Sequence, residues 1–161
     1  MGVSGCGKST VGQGLAQRLQ LRFVEGDDLH SPRNVARMAA GIALTDDDRK
    51  DWLDAIAAQL QHTPADQGVV VSCSALKRAY RDRLRSACPE LQFVHLQGSR
   101  DLLDARLRQR PGHYMPPTLL DSQLATLESP TPDEHALGLD MALPIDELLH
   151  HIEHALTTSH D

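Results

Sequence analysis

The chain has 161 residues, 22 acidic against 16 basic, for a net charge of -6. That size fits one self-sufficient domain spanning 1–161, and the acidic balance argues against a nucleic-acid groove, where a basic face supplies most of the affinity. Cys6, Cys73 and Cys88 match neither a disulfide framework nor a zinc site, and short apolar runs exclude a membrane span, so a cytoplasmic protein with reduced thiols is expected.

Helical and strand signals alternate along the chain, the pattern of a layered α/β domain with a largely parallel sheet. Gly2-Val3-Ser4-Gly5-Cys6-Gly7-Lys8-Ser9 matches GxxxxGK[ST] and opens a helix in which Val11, Leu15, Ala16 and Leu19 recur at helical spacing. Residues 21–24 read as a strand ending at Glu25-Gly26-Asp27. Ser31-Pro32 marks the N-cap and first turn of a helix that runs to about Ala40 and ends at Gly41. Thr45 caps the next helix, with Asp46, Asp47 and Asp48 in its first turn and Trp52, Leu53, Ile56 and Leu60 on its inner face. The β-branched, uncharged run 68–73 reads as a buried strand at the centre of the sheet. A basic helix over 76–87, a strand over 91–96 and a helix over 100–110 follow. Prolines and a glycine in 111–117 suggest a mobile lid at about 107–117, before a helix over 118–127, a weak strand over 137–140 and a last helix after Pro144.

The glycine-rich segment is a phosphate cradle. Its glycines let main-chain N–H groups crowd around phosphate oxygens, and the helix N-terminus adds partial positive charge. Gly2, Val3, Ser4, Gly5, Cys6, Gly7, Lys8, Ser9 and Thr10 are therefore expected to bind a nucleotide, with Lys8 reaching the β and γ phosphates and Ser9 ligating Mg²⁺. A P-loop normally follows a buried strand, yet Met1 stands directly before Gly2. Roughly ten upstream residues rich in Val, Ile or Leu are expected in the native protein, since such a strand buries side chains worth about 1.5–3 kcal/mol each.

Four further segments carry a resemblance. Gly26-Asp27-Asp28-Leu29-His30, Leu44-Thr45-Asp46-Asp47-Asp48-Arg49-Lys50-Asp51-Trp52-Leu53, Cys73-Ser74-Ala75-Leu76-Lys77-Arg78-Ala79-Tyr80-Arg81-Asp82 and Arg110-Pro111-Gly112-His113-Tyr114-Met115 together resemble gluconate kinase (gluconokinase), in that family's order. The resemblance implies ATP- and Mg²⁺-dependent phosphorylation of the 6-hydroxyl of D-gluconate. It also implies a fold similar to shikimate and adenylate kinases: a three-layer P-loop kinase fold with a parallel sheet flanked by helices, here with its first strand missing or truncated. The rivals are another small-metabolite P-loop kinase, shikimate-like, and a nucleotide-binding protein without catalysis.

Each group can be read on its own chemistry. Asp27 at a strand end could accept the proton of an attacking hydroxyl. Glu25 lies two residues away on the same side of an extended chain, and similarity to shikimate kinase suggests that it holds a Mg²⁺-bound water. Gluconate needs a cation for its carboxylate and mixed donors for its hydroxyls, for which Arg49, Arg81, His30 and Lys77 are candidates. The alternatives are pairing of Arg49 with Asp46 or Asp48 and a solvated basic face for Lys77 and Arg81. Arg106 and Arg110, one turn apart ahead of the lid, suit stabilisation of the migrating phosphoryl group. Gln123 matches a family position that touches substrate, or is a surface amide. The partner expected is a small molecule, gluconate, with no nucleic acid and no membrane; a homodimer is left open.

Overall fold

The computed structural model describes residues 1–64, 66–111 and 116–158. Its elements are α1 (Lys8–Leu19), β1 (Arg22–Glu25), a 3-10 turn (Gly26–Leu29), α2 (Pro32–Ala39), α3 (Asp46–Gln61), β2 (Val69–Ser72), α4 (Arg78–Ala87), β3 (Val94–Gln97), α5 (Arg100–Gln109), α6 (Pro117–Thr126), a second 3-10 turn (Pro132–Glu134), β4 (Leu137–Asp140) and α7 (Ile145–Thr158). Local chemistry accounts for three of the helix starts. Ser31, Thr45 and Ser99 each accept a first-turn N–H from their own helix, and Thr45 with Asp48 completes a reciprocal capping box.

The strands lie between two apolar cores. Along β2, Val70 packs with Val11, Leu15, Leu96, Leu103 and Ile152, whereas Val69 and Val71 pack with Trp52, Ile56, Leu84 and Phe93. Successive strand side chains point to opposite faces, so a run apolar at every position feeds both layers. The expected α/β layering is present.

The sheet differs from the expected single sheet centred on β2. Among the described residues it is two parallel pairs, β1 with β2 and β3 with β4. Met1 and Gly2 join them: the Leu96 N–H donates to the Met1 carbonyl at 3.0 Å and the Gly2 N–H to the Ser74 carbonyl at 3.2 Å. β2 is thus paired along one edge only, and Val69, Val70 and Val71 are half-buried. Two other boundaries also shift. The strand expected over 91–96 begins at Val94, because Leu91 is in a turn that bonds back to Cys88. The helix expected from Leu76 begins at Arg78, because Ala75 takes φ 42°. No helix among the described residues is long and apolar enough to cross a membrane.

Candidate active site

The P-loop wraps from Gly2 to the start of α1. Gly7 is the helix N-cap at φ 95°, in the left-handed region where only glycine sits without strain. Unlike α2, α3 and α5, α1 has no side-chain cap, and its first turn carries no acidic residue. Its leading amides are therefore available to an anionic ligand. Lys8 folds back, its Nζ donating to the Val3 carbonyl at 3.1 Å. Cys6 and Val3 are buried and Thr10 is exposed, so Cys6 can meet a phosphate only through its backbone.

Below the loop, one carboxylate gathers three donors. Glu25 accepts hydrogen bonds from the hydroxyls of Ser9 and Ser72, one on each oxygen, and a long contact from the Asp27 N–H at 3.5 Å. The Asp27 side chain itself is exposed and makes no hydrogen bond to the described residues. The turn that carries it is pinned from behind, where the Trp52 indole donates to the Gly26 carbonyl at 2.7 Å. His30 stacks on that indole, with ring centroids 4.5 Å apart and planes 8° from parallel. Burial lowers the His30 pKa against the opposing pull of Asp27, and its Nδ1 has no hydrogen-bond partner among the described residues.

The basic candidates divide. Arg49 pairs with neither Asp46 nor Asp48; its Nη1 donates to the Leu44 carbonyl at 2.7 Å and to the Tyr80 hydroxyl at 3.5 Å. Lys77, the N-cap of α4, bonds both oxygens of Asp46 at 2.9 and 3.0 Å, and Tyr80 donates to the same carboxylate. Hydrogen bonds from these two partners, Tyr80 first, hold the Asp46 pKa below its ordinary value. Arg81 needs correction. It is 0% exposed and bonded at all three nitrogens, to both oxygens of Glu134 and to the carbonyls of Ala75 and Leu76. It supports the loop after β2 from inside, its guanidinium taken up by protein partners, and is not on a solvated face.

From the other side come α5 and α6. Arg106 donates to the Met141 carbonyl at 2.8 Å, and its Nη1 would lie 3.8 Å from a Cβ placed on Gly7, so the guanidinium sits against the P-loop. Arg110 is the exposed C-cap, one residue beyond the end of α5. Gln123 is not a bare surface amide: its Oε1 accepts the Ser4 N–H at 2.7 Å. The Gly112-His113 centre of the expected lid lies outside the described residues.

Sequence reasoning missed Ser72, Tyr80 and Glu134. A run of valines into Ser72 reads as strand packing, and no local pattern says which acid a hydroxyl will meet across a parallel pair. Tyr80 stood inside a quoted motif, but its partner Asp46 is 34 residues away.

Comparison with known proteins accords with this architecture. The shikimate kinase family matches residues 4–136. A gluconokinase of Gluconobacter oxydans (strain 621H) is 46% identical over 158 residues, covering 95% of this chain and 89% of the relative. The thermoresistant gluconokinase of Escherichia coli (strain K12) is 43% identical over 150 residues, covering 91% and 85%. The crystal structure of a gluconokinase from Sinorhizobium meliloti 1021 superposes with a TM-score of 0.89 at 47% identity, covering 98% of this chain and 89% of that one. Together with the P-loop, the acid pair at the end of β1 and the parallel strands, these likenesses establish that the chain belongs to the gluconokinase family, within the wider family of shikimate kinases.

Proposed function

We propose that this protein transfers the γ-phosphoryl group of ATP to the 6-hydroxyl of D-gluconate, giving 6-phospho-D-gluconate. The observation that carries the reading is the meeting of the P-loop with the acids at the end of β1: Ser9 bonds Glu25, and two residues on stands the exposed carboxylate of Asp27. Gluconokinase relatives at 43% and 46% identity supply the acceptor.

In this reading the uncapped start of α1 and Lys8 bind the nucleotide phosphates. Lys8 exchanges the Val3 carbonyl for phosphate oxygen. Ser9 and Glu25 present hard oxygen atoms, the donor set that suits Mg²⁺, directly or through water. When bound, that ion neutralises charge on the transferring group. Asp27 accepts the proton of the attacking hydroxyl. Arg106, already beside Gly7, and Arg110 stabilise the charge spread over the migrating group. Arg49, Lys77 and His30 line the acceptor side, where Asp46 shows that Lys77 can hold a carboxylate. Gln123 stays at the P-loop, acting through Ser4.

A coupled ADP-release assay tests the proposal, with gluconate set against a panel of hydroxy acids, sugars and nucleosides. Gluconate-dependent release is expected. Release that ignores gluconate, or that another acceptor drives better, overturns the choice of substrate.

A further inference from the structure

We propose that Ser72 is a positioning residue for the metal-bound nucleotide, acting through Glu25. The proposal rests on the kinase reading above and deepens it.

Glu25 and Ser72 are register partners at the last positions of the parallel pair β1 and β2. Partners across a parallel ladder project to the same face, so the backbone itself sets this carboxylate beside this hydroxyl. Ser72 is only 4% exposed. A buried hydroxyl must find its partner inside the protein, and Ser72 donates to one oxygen of Glu25. The other oxygen takes the Ser9 hydroxyl. The result is a line of hydrogen bonds from β2 through β1 to the P-loop.

Gly26 locks the line in place. A Cβ at this position would lie 2.1 Å from the Ser72 carbonyl oxygen, so the two strand ends approach as closely as they do only because residue 26 has none.

The distribution of charge gives the line its use. Many P-loop NTPases keep a magnesium-linked Asp at the end of the strand that β2 represents. In this chain that place is held by a neutral hydroxyl, and the acid comes from the neighbouring strand. A second carboxylate facing Glu25 would set like charges together. A hydroxyl instead donates to Glu25 and adds no second charge beside it. A Ser9 oxygen can give its proton to Glu25 and still offer a lone pair to a cation. Without Ser72, the Glu25 oxygen it holds keeps only the 3.5 Å contact to the Asp27 N–H, and the carboxylate is free to turn away from Ser9.

The test is calorimetric titration of the protein with the non-hydrolysable analogue AMPPNP, across a Mg²⁺ series and again in EDTA. Loss of a group that orients a metal ligand typically costs about 10–100-fold in affinity. Ser72→Ala should therefore weaken Mg²⁺-dependent binding by about 10-fold or more while leaving binding in EDTA unchanged. Glu25→Gln should show the same loss, and the double variant no more than Glu25→Gln alone, because both changes break one line. Equal weakening with and without Mg²⁺, no weakening, or additive losses would overturn the proposal. If Ser72→Ala does not fold, Ser72→Cys, similar in size but a weak donor, must show the same Mg²⁺-specific loss. These readouts need no acceptor. Wild-type protein that binds Mg²⁺ and AMPPNP but never phosphorylates gluconate refutes the substrate assignment and leaves the Ser72 result to be judged by itself.

Discussion

Arg81 on α4 donates to both carboxylate oxygens of Glu134, at 2.6 and 2.7 Å, with the two side chains 0% and 1% exposed. Arg85 adds a third charge-assisted contact to Glu134 at 3.2 Å while lying over the Phe93 ring. The same guanidinium of Arg81 holds the carbonyls of Ala75 and Leu76. The pair therefore joins the segment before β4 to the loop that carries Lys77.

Replacing Glu134 by Gln leaves Arg81 charged and incompletely paired in the interior. Removing one partner of a buried pair costs about 3–5 kcal/mol. Urea unfolding of Glu134→Gln should show a loss of that size. The pH dependence has a definite sign. The Arg81 guanidinium holds Glu134 down to about 2, against an unfolded value of 4.5, so this stabilisation is complete above about 4.5 and fades as pH falls toward 2. In Glu134→Gln, the unfolding midpoint should lose that part of its acid dependence.

Lys8→Ala should abolish turnover, since no other described lysine is folded onto the P-loop. Asp27→Asn should lower kcat by at least about 10²-fold, the usual contribution of a positioned base, with little change in gluconate KM. Steady-state kinetics separate the two parameters. A normal kcat in Asp27→Asn removes Asp27 as the base.

Arg106 lies against Gly7 and is bonded to the Met141 carbonyl. Its charge is expected to matter more in the transition state than in the ground state, so Arg106→Ala should reduce kcat by about 10²–10³-fold. Arg106→Lys should recover little, because an ammonium lacks the planar fork. Single-turnover measurements with ATP and gluconate check the effect on chemistry.

Gly26→Ala should destabilise the protein by about 1–3 kcal/mol, as overpacking does. The clash is with the backbone oxygen of Ser72, which no side-chain rotation relieves. Thermal unfolding reports the cost, and the Mg²⁺ requirement of the variant should rise as the Glu25 to Ser72 contact opens.

Much of the local structure was legible because its causes are local. Thr45 caps α3 with Asp48, Ser31 caps α2, and Trp52, Leu53, Ile56 and Leu60 fall on one buried face, all from interactions within a turn or two. The strand at 91–96 was misread at its start because Leu91 and Phe93 are apolar whether in a turn or in a ladder. Arg81 was misread because it sits in a basic helix, and only the fold brings Glu134 to it across 53 residues.

By itself the sequence determined the P-loop, the caps, the helical faces and the family likeness, for these reside in residue types at short spacing. The tertiary structure alone decided that Ser72 faces Glu25, that Gln123 reaches Ser4 across 119 residues, and that Arg81 is buried and paired with Glu134. Such relations follow from strand register and from which layers pack together, and these are set by the burial of the whole chain and not by any one segment of it.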